Sequence, residues 1–221
     1  MSYLTKMSSA IFDLDGTLLD TIDDIARICN KVFIEFGIFP RKLEQYRSWV
    51  GPGLRRLIHK AIGKENKDIS KIHERILEEY AKDPICYTKV YPGVEHMLHD
   101  IVDANISIAV LSNKADELVK KIVHNFFSDI PFVTVRGVSH RFPPKPNPAQ
   151  ALDIAICLQA DPVDVYFVGD SLYDVETALN AKMMPVVVPW GYGSIKKGNA
   201  SFFHCSSTDD VCRLICSSVD S

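Results

Sequence analysis

The sequence predicts an α/β protein: a Rossmann-like parallel sheet core flanked by helices, with a helical segment inserted after the first strand. Two patterns support this prediction. From residue 92 onward, short β-rich runs alternate with amphipathic helical patterns, which is typical of parallel βαβ units. Before that point, helical patterns follow one another with no strand between them. We therefore assign residues 1–19 and 88–221 to the α/β core and residues 20–87 to an inserted helical domain.

The first predicted strand is an apolar run after Ser9 that stops at two aspartates, Asp13 and Asp15, followed by Gly16. On an extended strand, residues i and i+2 face the same side, so both carboxyl groups would point into one crevice. Two acids there repel each other unless a cation lies between them, and such oxygen ligands suit Mg²⁺. Differently tuned carboxyls also divide nucleophile and acid/base roles. The alternative is an ordinary strand-end turn with two solvated aspartates.

Four helices are predicted in the insert, from apolar residues at helical spacing and from the glycines and proline that bound them. The first ends at Gly37, the second follows Pro40, and the third lies between Gly53 and Gly63. No strand pattern separates them, which is why they are expected to form their own bundle. The predicted helices span residues 22–36, 40–50, 54–61 and 68–81.

The remaining elements of the core alternate between strand and helix, as a parallel sheet with helices on both faces requires. Short runs of β-branched residues predict strands, and apolar residues at helical spacing predict helices. The predicted strands span residues 106–111, 132–135, 165–168 and 185–188. The predicted helices span residues 94–105, 115–126, 146–159 and 172–182, with a closing helix over 208–218.

Composition excludes several classes of protein. The chain has 221 residues, 47% hydrophobic and 24% charged, which is globular, and its net charge of −3 gives no reason to expect a nucleic-acid partner. No signal-peptide pattern and no apolar segment of membrane-spanning length is found, so we expect a cytoplasmic protein without membrane association. The six cysteines include no C-x-x-C pair and are expected to be reduced thiols.

Polar residues that could take part in binding or catalysis follow three later strands. Ser112 and Asn113 end the second strand of the core, where a hydroxyl and an amide could donate to a phosphate oxygen. Lys145 lies in a rigid proline-rich segment, and Asp170 and Asp174 follow a strand that turns at a glycine. Each has a structural alternative: a helix N-cap for the serine or either aspartate, and a surface turn for the lysine. Their shared position at strand ends favours a functional site.

Taken together, these residues resemble the four motifs of the haloacid dehalogenase-like hydrolases. The motifs are Asp13-x-Asp15-Gly16-Thr17, Ser112, Lys145-Pro146, and Gly169-Asp170 with Asp174, and they occur in the family's order across nearly the whole chain. The insert is similar to that family's C1-type α-helical cap. An aspartate two residues after the first one is similar to the phosphatase branch and unlike the dehalogenases.

The resemblance implies a phosphomonoester hydrolase. In this family scheme Asp13 attacks phosphorus and forms an aspartyl-phosphate, while Asp15 protonates the leaving oxygen and then deprotonates water. Magnesium would be held by the Asp13 carboxylate, the Asp15 backbone carbonyl and Asp170, with Asp174 completing or supporting the shell.

The resemblance also implies that Thr17, Ser112 and Lys145 bind the transferring phosphoryl group, and we add Asn113 as a phosphate ligand because its amide follows Ser112 at the strand end. One metal and one lysine would compensate the charge of the phosphate dianion.

Substrate choice is expected to lie in the cap. Residues 49–57 look like the cap loop of phosphoglycolate phosphatases, with Gly51 and Gly53 allowing the backbone to approach a ligand. Arg55 or Arg56 could pair with a substrate carboxylate, although each could equally lie on a solvated helix face, and Arg47 is a third candidate. The expected substrate is therefore a small phosphorylated metabolite such as 2-phosphoglycolate.

Several alternatives remain open at this point. One is a phosphosugar mutase of the same superfamily, and others are a pyrophosphatase or a nucleotidase. A non-catalytic phospho-acceptor module also combines acidic residues, a hydroxyl and a lysine around Mg²⁺, but it has no need for Asp15 or for a cap. We expect a monomer or a homodimer.

Overall fold

The computed structural model describes residues 9–65, 67–193, 195 and 202–217. The first eight residues assigned to the core, and residue 218 of the predicted closing helix, lie outside the described residues. The elements are, in chain order, β1 (Ser9–Phe12), β2 (Leu19–Asp20), α1 (Ile22–Glu35), α2 (Leu43–Trp49), α3 (Leu54–Ile62), α4 (Ile69–Lys82), β3 (Lys89–Val90), α5 (Val94–Asp103), β4 (Ser107–Ala115), α6 (Asp116–Phe126), β5 (Thr134–Val138), α7 (Ala149–Cys157), a 3₁₀ turn (Pro162–Asp164), β6 (Val165–Gly169), α8 (Leu172–Asn180), β7 (Met184–Val187), β8 (Phe203–His204) and α9 (Thr208–Cys216).

Six strands form one parallel sheet in the order β5-β4-β1-β6-β7-β8. The first strand is therefore central, and Phe12 at its end pairs with Val110 of β4 and Val168 of β6. The predicted α/β class with a parallel sheet and flanking helices is confirmed. Because all six strands are parallel, their carboxyl ends meet at the same edge of the sheet.

Strand β1 is buried on both faces because alternate side chains enter different clusters. Ala10 and Phe12 pack with α5, α6 and α9, whereas Ile11 packs with α7 and α8. These three side chains are fully buried, and removing a large apolar side chain from water stabilises a fold by roughly 1.5–3 kcal/mol. The residue that follows Phe12 is thereby fixed at the centre of the sheet edge.

Several boundaries differ from those predicted. Strand β4 extends to Ala115, so Ser112 and Asn113 lie within it instead of following it. Helix α7 begins at Ala149 and not at residue 146, because prolines occupy positions 146 and 148 and the second of them caps the helix. The two-residue strands β2, β3 and β8 were not predicted, since a two-residue strand is too short to show alternation.

The four helices of the insert share one buried apolar cluster that is separate from the two clusters flanking the sheet. Phe33, Ile58 and Ile76 are among its fully buried members, and Leu118 of α6 is the buried residue that the core contributes. The helices therefore pack chiefly against one another. None of the described helices is long and apolar enough to cross a membrane.

The chain enters and leaves the insert through a short antiparallel pair. Strand β2 leads into α1 and β3 follows α4, with Leu19 paired to Val90 and Asp20 to Lys89. The two crossing segments are thus held side by side at the base of the insert.

A buried carboxylate fastens the returning segment to the first helix. The Oδ2 atom of Asp24 accepts the backbone N–H groups of Cys86, Tyr87 and Thr88 at 3.0, 2.8 and 2.8 Å and the Thr88 hydroxyl at 2.8 Å. Arg27 donates to Oδ1 at 2.9 Å. Burial raises the pKa of Asp24, but the donated hydrogen bonds lower it by more, so that the net pKa is below its ordinary value.

Asp24→Asn is expected to destabilise the protein by about 2–3 kcal/mol at pH 7, because the buried donors lose a charged acceptor and Arg27 loses one of its two anionic partners. Urea unfolding followed by circular dichroism measures the change. Asp23→Asn is the matched control, since Asp23 occupies the same turn but is exposed, and it should cost less than about 1 kcal/mol.

The difference between wild type and Asp24→Asn should depend on pH. A carboxyl whose pKa is lowered by folding stabilises the protein above its unfolded pKa of about 4, and this contribution is lost as the pH falls through the folded value. The stability gap should therefore shrink as the pH is lowered from about 5 to about 3. A gap that stays constant over that range would contradict the role given to the ionised carboxylate.

Candidate active site

The candidate site lies at the carboxyl ends of β1, β4 and β6. Asp13 follows β1, and its backbone N–H donates to the Val168 carbonyl at 2.9 Å, which continues the pairing of β1 with β6 by one residue. Asp170 follows β6, and Ser112 lies near the end of β4. Residues far apart in the chain are brought together because β1 is central between the two other strands.

Three of the predicted carboxylates form one buried group. Asp13, Asp170 and Asp174 each present an oxygen, and these oxygens lie within 4.8 Å of one another. The three residues are 5%, 3% and 1% exposed. When all three are ionised, the adjacent Lys145 leaves a net charge of −2 in a buried site. Such an arrangement favours a divalent cation with oxygen ligands.

Lys145 is the cation that this group contains. Its Nζ donates to Asp13 Oδ1 at 2.7 Å, to Asp174 Oδ1 at 2.6 Å and to the Leu111 carbonyl at 3.1 Å, so all three ammonium hydrogens have acceptors. Burial lowers the pKa of Lys145, but the charges of Asp13 and Asp174 raise it by more, and the net pKa is above its ordinary value. The side chain is therefore a fixed positive charge.

For the carboxyl groups, burial and mutual repulsion both disfavour the charged form and raise the pKa. Burial raises the pKa of Asp13 well above its ordinary value; Lys145 opposes this, while Asp174 and Asp170 add to it. Burial and Asp174 raise the pKa of Asp170 to about 6, although the N–H groups of Gly193 and Tyr192 act against the rise. A bound cation would relieve both penalties.

The hydrogen bonds divide these carboxylates by role. Both oxygens of Asp174 are engaged, Oδ1 by Lys145 and Oδ2 by the Ser171 N–H at 3.0 Å and hydroxyl at 2.5 Å. Asp170 uses only Oδ2, which accepts the N–H of Tyr192 at 2.6 Å and of Gly193 at 3.0 Å, and Asp13 uses only Oδ1. Within the described part of the chain, Asp13 and Asp170 thus each keep an oxygen for a ligand.

Asp15 has hydrogen-bond partners different from those of this group. Its Oδ1 accepts the Thr21 hydroxyl at 2.6 Å, and Lys114 Nζ lies 2.8 Å from Oδ1 and 3.0 Å from Oδ2. The sequence led us to expect that the carboxylates of Asp13 and Asp15 share one crevice. Strand β1 ends at Phe12, so strand alternation does not extend to Asp15, and the two carboxylates have separate hydrogen-bond partners.

Lys114 is a residue of the site that the sequence reasoning missed. Strand β4 runs on to Ala115, which places Ser112 and Lys114 two residues apart in one strand, where its register with β5 shifts. The sequence pattern that could have identified it is a lysine two positions after Ser112, and this pattern indicates a site residue only if the strand is known to continue to Ala115.

The predicted phosphate ligands have different surroundings. Thr17 Oγ1 is buried and has no hydrogen-bond partner within the described residues, and Ser112 Oγ accepts the Lys114 N–H at 3.2 Å, which leaves its hydroxyl hydrogen to donate. Asn113 differs, since its amide donates to the carbonyls of Gly51 at 2.9 Å and Lys145 at 3.1 Å. Both of its hydrogens are used, so in this conformation the Asn113 amide holds two backbone segments in place.

The turn after Asp15 requires glycine. Gly16 has φ +92°, and a Cβ there would lie 2.5 Å from Asp170 Oδ2 and 3.0 Å from the Tyr192 ring. Any side chain would displace the carboxylate that belongs to the acidic group.

The phenol of Tyr192 accepts the Thr21 N–H at 2.6 Å and donates to Asp20 Oδ1 at 2.8 Å, at the entry to the insert.

The loop of the insert that carries Gly51 and Gly53 lies against the site. Both glycines have positive φ, and a Cβ on Gly53 would lie 3.3 Å from the Asn113 carbonyl, while one on Gly51 would lie 3.4 Å from the Tyr173 ring. The accepted hydrogen bond at Gly51 therefore joins the insert directly to β4.

The three candidate arginines of the insert have different surroundings. Arg55 and Arg56 are exposed, and neither makes an ion pair or hydrogen bond with the described residues of the site. Burial, and then the charge of Arg55, lower the pKa of His73 on α4, which puts Arg55 beside another helix of the insert. The guanidinium of Arg47 lies 5.7 Å from the ring centre of Tyr192, so Arg47 is the insert arginine found next to the site.

Asn113→Ala is expected to loosen both segments that its amide holds. The exchange of the Lys145 amide hydrogen and of residues 51–53 should accelerate, and the free energy of unfolding should fall by about 1–3 kcal/mol because buried carbonyls lose their donors. Hydrogen exchange with mass spectrometry measures this. Asn180→Ala is the control, since its amide makes one exposed bond to the Pro146 carbonyl. Unchanged exchange over residues 51–53 would contradict the bridging role.

Comparison with known proteins identifies the group to which this arrangement is similar. A model of the haloacid dehalogenase-like hydrolases matches residues 10–188. The phosphoglycolate phosphatase of Aquifex aeolicus is 31% identical over 209 residues, which cover 95% of this chain and 97% of that protein. The N-acetylmuramic acid 6-phosphate phosphatase of Pseudomonas putida is 28% identical over 189 residues, 85% of each chain.

The fold is similar to that of solved structures. The crystal structure of a predicted phosphoglycolate phosphatase from Haemophilus somnus has a TM-score of 0.85 with 23% sequence identity, and the match covers 96% of this chain and 99% of that one. At this identity the likeness concerns the fold, including the helical insert and the sheet.

Proposed function

The chain belongs to the haloacid dehalogenase-like hydrolase family, and on that premise we propose that it is a Mg²⁺-dependent phosphomonoester hydrolase acting through an aspartyl-phosphate. The observation that carries the proposal is the environment of Asp13. One of its oxygens is fixed by Lys145, the other has no hydrogen-bond partner among the described residues, and the unpartnered hydroxyl of Thr17 is buried in the same motif. A nucleophile that is oriented but not fully engaged suits in-line attack.

The reaction divides between the two aspartates. The free oxygen of Asp13 forms a bond to phosphorus as the bond to the leaving oxygen breaks, and Asp15 gives that oxygen its proton. In the second step Asp15 takes a proton from water, the water oxygen attacks phosphorus, and the Asp13 carboxylate leaves. The separate partners of the two carboxylates, Lys145 and Lys114, fit separate roles.

The residues fit Mg²⁺. Asp170 has an unengaged oxygen to offer, the Asp13 oxygen that Lys145 contacts would be a second ligand, and the Asp15 carbonyl would add a third, while the other Asp13 oxygen stays available for attack. Asp174 supports them through Lys145 and Ser171. The net charge of −2 at this buried group supports a divalent ion. When bound, Mg²⁺ neutralises phosphate charge and orients the phosphoryl group. Lys145 and the hydroxyls of Thr17 and Ser112 bind the transferred phosphoryl group in this proposal.

We further propose that residues 20–87 act as a cap that selects the substrate. The contacts of Gly51 and Gly53 with the site support this, as does the antiparallel pair at the base of the insert. The substrate is a small phosphorylated metabolite, and 2-phosphoglycolate is the first candidate because several relatives are named for it. Arg47, which lies beside Tyr192, joins Arg55 and Arg56 as a candidate cap cation for a substrate carboxylate.

Phosphate release from a panel of substrates tests the proposed function. The panel contains 2-phosphoglycolate, N-acetylmuramic acid 6-phosphate, hexose phosphates, pyrophosphate and nucleotides, each with Mg²⁺. We expect the highest kcat/KM for 2-phosphoglycolate, and Asp13→Asn should lower kcat by about 10⁴-fold or more because the nucleophile is lost. Asp23→Asn is the exposed control and should retain activity. Turnover of none of these by folded protein would refute the hydrolase.

Magnesium binding has a readout that does not need turnover. At a concentration of about 100 Kd, Mg²⁺ should stabilise the wild type by about 2.7 kcal/mol, or roughly 5–10 °C in Tm. Asp170→Asn should abolish this shift without lowering the metal-free Tm, because burial already disfavours the charge of Asp170. Asp209→Asn, an exposed change on α9, should keep the shift. A full shift in Asp170→Asn would exclude this ligand.

A further inference from the structure

We propose that Lys114 is a positioning residue for the acid–base steps: its ammonium holds the Asp15 carboxyl group in the orientation from which the protonated form gives its proton to the leaving oxygen and the ionised form then takes one from water. The inference rests on the proposed hydrolase and adds to it a residue outside the four motifs. It concerns the placement of Asp15 and not its contact with substrate.

The contact is close and sheltered. Lys114 Nζ lies 2.8 Å from one oxygen of Asp15 and 3.0 Å from the other, and the two side chains are 9% and 12% exposed. Thr21 donates to the first oxygen at 2.6 Å. A carboxylate bound at both oxygens cannot rotate freely, and a charge-assisted pair shielded from solvent is stronger than one on the surface.

Lys114 is itself fixed by both parts of the molecule. At its backbone end, the N–H of Lys114 donates to Ser112 Oγ, so the residue is anchored on β4 beside a predicted phosphate ligand. At its other end, Nζ lies 5.3 Å from the ring centre of Tyr80 on α4 of the insert. The lysine thus contacts the Tyr80 ring, and the Tyr80 hydroxyl has no hydrogen-bond partner among the described residues.

The two lysines of the site have separate duties. Lys145 contacts Asp13 and Asp174, whereas Lys114 contacts Asp15 and no other carboxylate of the described site. Removing Lys114 would therefore leave the nucleophile and the acidic group in place. The step that suffers should be the one that needs a well-placed proton donor.

Leaving groups of different basicity isolate that step. The kcat/KM value reports events up to formation of the aspartyl-phosphate, and an alkoxide needs a proton to leave whereas p-nitrophenolate leaves without one. Lys114→Met should lower kcat/KM by about 10²-fold for 2-phosphoglycolate and for ethyl phosphate. For p-nitrophenyl phosphate the loss should be less than about 3-fold, because acid catalysis contributes little there.

Two further variants and one control complete the experiment. Lys114→Arg keeps the positive charge, and its guanidinium fork can contact both oxygens. It should restore most of the activity on the alkyl esters. In an Asp15→Asn background, Lys114→Met should add no further loss. Lys120→Met removes an exposed lysine that pairs with Asp116 on α6, and it should leave all three substrates unaffected. Should the methionine variant not fold, Lys114→Gln carries the same comparison.

Equal losses on alkyl and aryl esters would overturn the inference, as would a further loss in the Asp15→Asn background. A loss on 2-phosphoglycolate that ethyl phosphate does not share would also overturn it, because Lys114 would then bind the substrate carboxylate. Wild-type protein inactive on every phosphate ester would instead refute the proposed function, and that result is seen before any variant is compared.

Discussion

The ammonium of Lys145 is the interaction on which the candidate site depends. It reaches Asp13, Asp174 and the carbonyl at the end of the neighbouring strand, and it is almost completely buried. Asp13 follows β1, Asp170 follows β6 and Asp174 lies on α8. Their buried carboxylates would repel one another, and the positive charge of Lys145 offsets that repulsion. The same charge then orients one oxygen of Asp13 and leaves the other open. Structure and chemistry thus rest on one side chain, held at its backbone by Asn113.

The fold and the residue types of the site were largely predictable, and their partners were not. Parallel strands, flanking helices and the inserted helices follow from short-range patterns. Asp13 and Asp170 follow recognisable strands, and Lys145 lies in the proline-rich segment before α7. Lys114 could not be foreseen because its partner lies 99 residues away, and their meeting depends on the pairing of β1 with β4. Arg55 illustrates the converse: its place in a loop that looked functional did not determine which side of α3 it occupies.

The insert and the core meet through polar contacts as well as apolar ones. The Gly51 carbonyl accepts from Asn113, the Tyr192 phenol bonds Asp20 and Thr21, and Lys114 lies between Asp15 and the Tyr80 ring. Each of these residues also touches, or directly adjoins, a member of the candidate site. A movement of the insert would therefore change the contacts of Asp15, Thr21 and Lys145 first. It would change the sheet below them less, because the apolar clusters that flank the sheet are separate from that of the insert.

The antiparallel pair of β2 and β3 has a consequence for how such proteins diversify. Since the chain departs from the core and rejoins it at adjacent points, the backbone connection between sheet and insert is a short paired stem. A longer excursion beyond that stem would cost little extra closure entropy, so the length of the insert is only weakly limited by the connection itself. A change in the length of the insert would therefore leave the order and pairing of the six strands of the sheet unchanged.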